Sequence, residues 1–92
     1  MSTFLIGYDL NTYETAGEYQ KLIKAIKELG TWAKPLESTF LVVSGLSASE
    51  IRDYLKNSTD SDDELLVMDV TDANWATWGI DKDVTSWMRN NI

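Results

Sequence analysis

Apolar residues recur along the chain in two periods, and the switches between those periods mark the elements. Over residues 3–10, TFLIGYDL, strand formers dominate. Phe4, Ile6, Tyr8 and Leu10 fall on one side of a two-residue alternation, and Leu5, Gly7 and Asp9 on the other. The period then lengthens: Tyr19, Leu22, Ile23, Ile26 and Leu29 recur at helical spacing, and Gly30 stands where a helix C-terminus belongs. Thr15 and Glu18 have the spacing of a capping box at the start of that helix. TWAKPLESTFLVVSGL predicts two short strands broken near residues 35–37. Pro35 has no N–H to give a ladder, so the first of the two is an edge strand or carries a bulge.

Ser47 and Glu50 form a second capping box, with Leu46 and Ile51 placed as its hydrophobic staple. Ile51, Tyr54 and Leu55 supply the apolar stripe of the helix that follows. STDSDDE is a polar turn and ELLVMDVT a further strand. DANWATWGID is irregular, with room for a short added strand. Val84, Trp87 and Met88 in the closing DVTSWMRNNI predict a short C-terminal helix.

Strand, helix, strand, strand, helix, strand, then a tail is the order of a ferredoxin-like βαββαβ sandwich. The expected fold class is therefore α+β, one domain over residues 1–92, with a four-stranded antiparallel sheet and two helices on one face. A sheet face left open to water shows polar residues at every second position. Here FLVV and LLVMDV are apolar on both faces, so something has to cover the second one. Two coverings fit: the tail with Trp75, Trp78 and Trp87 folding back, or a second copy packing sheet to sheet as a two-fold homodimer.

Composition narrows the chemistry more than the fold. The chain has no Cys and no His, which removes disulfides, thiol nucleophiles, Cys/His zinc sites and imidazole acid–base catalysis. Catalysis is left to carboxylates with a hard metal ion, or to Tyr, Lys, Ser and Thr. A net charge of −7 with eight Lys and Arg lacks the basic footprint of a phosphate binder. No run reaches the roughly 20 apolar residues of a membrane span, and no signal sequence opens the chain, so the expected location is cytoplasmic with no membrane partner.

Asp9 is the acid on which a functional reading turns. It ends the first strand on the face away from the helices, in line with Leu5 and Gly7. Near a two-fold axis, Asp9 from each subunit makes a carboxylate pair, a hard-oxygen site suited to Mg²⁺ or Mn²⁺. The plainer reading is a strand-terminating acid bonded to backbone two residues on, beside the turn residue Asn11. Asp69 belongs at the opposite end of the sheet in an antiparallel arrangement. DSDDE, residues 60–64, lacks the Gly and the closing acid of a calcium loop and reads as a solvated turn. Lys21, Lys24 and Lys27 run along the exposed side of the first helix, diluted by Glu18, Gln20 and Glu28. Trp32 and Trp75 suit core or dimer contacts better than base stacking.

FLIGYDLN, AIKELGTWAKPLESTFLV, LSASEIRDYL and DDELLVM, in that order, resemble the CRISPR-associated protein 2 family, in particular its small stand-alone SinR-like relatives. The resemblance covers nearly the whole chain. It implies a ferredoxin-like protomer in a two-fold dimer, and a metal-dependent endonuclease acting on RNA or DNA, with the strand-one aspartate, here Asp9, at the interface. Other members of that family act as scaffolds in spacer integration, and a related branch acts as an antitoxin. NTYETAGEY, after Asp9, carries acids where a typical member carries basic residues.

Two functions are therefore expected. One is a Mg²⁺- or Mn²⁺-dependent phosphodiesterase in antiviral defence, with Asp9 as metal ligand and Tyr8, Asn11, Ser38 and Thr39 in support. The other is a non-catalytic dimeric scaffold or toxin–antitoxin-like regulator that binds a protein partner.

Overall fold

The computed structural model describes residues 1–10 and 16–92, and of residues 16–18 the backbone alone. Asn11 and the Thr15–Glu18 capping box lie outside the described residues. The elements are β1 (Ser2–Asp9), α1 (Ala16–Lys27), β2 (Trp32–Leu36), β3 (Thr39–Ser44), α2 (Ala48–Lys56), β4 (Glu64–Asp69) and α3 (Lys82–Asn91). The strands form one sheet in the order β2-β3-β1-β4, each neighbour antiparallel. This is the ferredoxin-like arrangement with a C-terminal helix added.

The two-residue alternation in β1 is what sorts the sheet into a helical and an opposite face. Phe4, Ile6 and Tyr8 are buried with Phe40 and Val42 of β3 against Leu22 and Ile26 of α1 and Ile51 and Leu55 of α2. Each such side chain contributes about 1.5–3 kcal/mol relative to exposure. The ends of the helices are set locally. Ser47 Oγ accepts from the Glu50 N–H at 3.2 Å, and Glu50 Oε1 accepts from the Ser47 N–H at 2.9 Å, the reciprocal capping box expected for α2. After α1 the chain passes so close to β3 that a Cβ on Gly30 would stand 2.1 Å from the Val43 carbonyl oxygen. Only glycine permits that approach. Pro35 lies in the edge strand β2, and the β2–β3 register shifts between Ala33 and Leu36, as its missing N–H requires.

Residues 70–81 correct one expectation: they contain no added strand. The segment leaves β4 through the Val70 N–H to Thr3 carbonyl bond, turns at residues 71–72, and runs irregularly to Asp81. Asp81 caps α3 by accepting from the Asp83 N–H at 2.9 Å. Polar Thr, Asp and Asn around Trp75 and Trp78 leave no alternation for a ladder to use.

α3 folds back over the second sheet face and packs on β2. Met88 is buried there, and so are Ala33 and Leu41 beneath it. Trp87 Nε1–H donates to Thr31 Oγ1 at 3.1 Å, and the Thr3 hydroxyl donates to the Asn91 carbonyl. The cover reaches Ala33 of β2, Leu41 of β3 and Thr3 of β1, and leaves bare the β4 side of the face and Leu36 at the end of β2. Leu36, Leu66 and Met68 on that same face stay 59%, 54% and 50% exposed. Among the described residues no helix is long and apolar enough to cross a membrane.

Candidate functional site at the Asp9 end of the sheet

Antiparallel pairing decides which residues can meet Asp9. The β1–β4 register sets Asp9 opposite Glu64, Gly7 opposite Leu66 and Leu5 opposite Met68. Directly opposed residues share a face, so the Asp9 and Glu64 side chains both rise from the side away from α1 and α2, and both are exposed. On the other side of β1, Gly7 is opposite Thr39. The result is a depression of about 470 Å³ lined by Gly7, Tyr8, Asp9, Ser38, Thr39, Glu64, Leu65 and Leu66.

Four expected site residues thus come together around one hollow: Tyr8, Asp9, Ser38 and Thr39. They do not present themselves alike. The Tyr8 side chain enters the core, with its ring stacked on Phe40 at 6.2 Å and edge-on to Tyr19 at 5.9 Å. Its hydroxyl donates to the Glu37 carbonyl at 3.3 Å. Burial, and then the neighbouring Tyr19 and Glu37, push the phenol well above its ordinary range, so it stays protonated at neutral pH. Tyr8 reaches the hollow through its backbone, whose N–H donates to the Ser38 carbonyl at 3.1 Å and closes the β1–β3 ladder there.

Asp69 lies at the far end of β4, opposite Phe4, about 17 Å along the strand from Glu64. It accepts from the Thr71 N–H at 2.9 Å, and this bond holds its carboxyl below the usual range. It takes no part in the Asp9 site. In the turn before β4, Asp63 Oδ2 accepts from the Asp60 N–H at 2.8 Å, so these acids bond among themselves.

Glu64 is the residue that the sequence reading missed. The signal for it was present: antiparallel β1 and β4 oblige the first residue of β4 to face the last of β1. As part of DSDDE it looked like one more turn acid.

Two like charges opposed on one face repel, and a divalent cation relieves that repulsion. Mg²⁺ is held by one or two carboxylates with water and phosphate completing its shell, so Asp9 and Glu64 match what it asks of a protein. The Ser38 and Thr39 hydroxyls can donate to a phosphate oxygen beside them. Among the described residues no group of three or more acids gathers for a metal ion, and no Lys or Arg lines the hollow. The basic residues collect elsewhere. Lys24 and Lys27 line a hollow on α1, and Lys27 Nζ sits 4.5 Å above the Trp32 ring. Trp32 in turn packs edge-on to Phe40 at 5.6 Å, on the helical side of the sheet.

The chain matches no family model, no curated protein and no solved structure.

Proposed function

We propose that the chain works as a two-fold homodimer closed through the uncovered half of its second sheet face. In that dimer the Asp9–Glu64 pairs of both subunits border one interface and hold Mg²⁺ or Mn²⁺ for hydrolysis of RNA or DNA phosphodiesters. The observation that carries this reading is the apolar strip Leu66 and Met68 along β4, which shares its face with Asp9 and is left bare by α3. Leu66 lines the same hollow as Asp9 and Glu64, so closing the strip brings the acids to the rim of the contact. The resemblance to the CRISPR-associated protein 2 family supports the same assignment of Asp9.

Each residue then has one task. Asp9 and Glu64 supply the carboxylates, and Ser38 and Thr39 orient the phosphate. A bound divalent cation would supply charge neutralisation and a more acidic water at a hollow whose described lining holds no Lys or Arg.

The second reading is a non-catalytic dimeric scaffold or regulator that binds a protein partner. The net charge of −7 and the lack of Lys or Arg among the described residues around the hollow favour it. Cleavage of labelled single-stranded RNA and double-stranded DNA with Mg²⁺, Mn²⁺ or EDTA separates the two. Metal-dependent cutting by wild type, lost in Asp9→Asn and Glu64→Gln proteins of unchanged molar mass, is the expected result. No cutting by any of the three would move the function to the second reading, and equal cutting by all three would take Asp9 and Glu64 out of the reaction.

A further inference from the structure

β4 ends the sheet, and among the described residues no strand pairs along its outer side. The phase of its backbone follows from one bond. The Val70 N–H donates inward to the Thr3 carbonyl, so by alternation Leu66 and Met68 also bond to β1. The N–H and C=O groups of Leu65, Val67 and Asp69 therefore face outward. The strand that carries them, ELLVMD, is apolar through four consecutive residues and bounded by Glu64 and Asp69.

An open apolar edge of this kind is a template for another strand, and its flanking charges choose which one. A second copy gains nothing from these charges. The outward groups of Leu65, Val67 and Asp69 let β4 pair with itself with Val67 opposite Val67, which sets Asp69 against Leu65 and brings no cation to either acid. A strand with an apolar centre and Lys or Arg at each end meets an acid at each end instead. At the Glu64 end, Leu65 borders a hollow of about 320 Å³ that Asp60, Asp63, Arg52 and Lys56 also line. Arg52 there is paired with Asp53 at 3.0 Å.

We infer that the outer edge of β4 receives an extended peptide segment of a basic partner, added as a fifth strand. Its backbone bonds to Leu65, Val67 and Asp69, and its terminal cations lie near Glu64 and Asp69. The dimer face uses the side chains of Leu66 and Met68, whereas this edge uses main-chain groups of the residues that alternate with them, Leu65, Val67 and Asp69. The inference therefore stands without the dimer.

Three synthetic peptides test it on the full chain labelled with ¹⁵N. One alternates Val and Thr between terminal Lys pairs, the second carries Glu in place of Lys, and the third is the Lys peptide N-methylated at every residue of its Val–Thr centre. The Lys peptide is expected to bind at least about tenfold more tightly than the Glu peptide, and the N-methylated one not at all. On binding, the amides of Leu65, Val67 and Asp69 gain protection from exchange, while those of Leu66 and Met68 do not change. A Glu64→Lys, Asp69→Lys double variant, altered at two exposed positions, reverses the peptide preference. Binding of the N-methylated peptide as tight as its parent, no binding of the Lys peptide, or no protection at those three amides would overturn the inference. Light scattering on the same samples reports the dimer separately.

Discussion

Asp9 and Glu64 face each other across the β1–β4 ladder, two exposed carboxylates from strand ends that lie 55 residues apart in the chain. Nothing in either local sequence asks for this pairing. It follows from antiparallel register alone, and it sets two like charges on the same face of the sheet. Glu64→Gln removes one of them. The variant is expected to be more stable than wild type by about 0.2–1 kcal/mol in urea unfolding at low salt. Added salt screens the wild-type repulsion and shrinks the gain. A loss of stability at low salt would mean that Glu64 is held by a partner it would miss.

The same pair predicts a metal response independent of any reaction. Mn²⁺ or Mg²⁺ is expected to raise the thermal midpoint of wild type and to leave Asp9→Asn unmoved. A site filled at a hundred times its Kd stabilises by about 2.7 kcal/mol, well within the reach of a melting curve. An equal shift in both proteins would place the ion elsewhere.

Gly30→Ala tests the close passage between the end of α1 and β3. The added Cβ would stand 2.1 Å from the Val43 carbonyl oxygen, a backbone atom that cannot swing aside. Destabilisation of about 1–3 kcal/mol in urea unfolding is expected, the cost of overpacking a well-filled site. A neutral result would mean that the turn over residues 28–31 moves freely against the sheet.

Tyr8 gives the fold an alkaline limit. Burial raises its phenol above the ordinary value of 10.0, with Tyr19 and Glu37 adding to the effect. A raised folded-state value means that the contribution is fully present below the unfolded value and is lost as pH climbs toward the folded one. Stability is therefore expected to fall as pH rises above about 10, and Tyr8→Phe, which keeps the ring on Phe40, is expected to lessen that fall. Parallel pH profiles for the two proteins would show that the phenol is not shielded.

Much of the fold was legible because its local signals agree with its global pattern. The Phe4, Ile6, Tyr8 alternation names the core face of β1, the Ser47–Glu50 box starts α2, and Pro35 marks an edge strand. Apolar residues on both faces asked for a second cover, and α3 supplies part of it. What α3 reaches was not legible. Val84, Trp87 and Met88 predict a helix, but its seat on β2 depends on where the irregular residues 70–81 deliver it, and such a segment has no period to read. Glu64 was missed for a related reason: its role is a matter of register, and local composition disguised it as turn.

The central claim is that the bare half of the second face closes a dimer. Multi-angle light scattering at micromolar concentration tests it most directly, on wild type and on Leu66→Lys, a substitution at a site already 54% exposed. Wild type is predicted to show twice the chain mass of 10.4 kDa, and Leu66→Lys the single mass with an unchanged circular dichroism spectrum. A wild-type mass of 10.4 kDa across the concentration range would contradict the account.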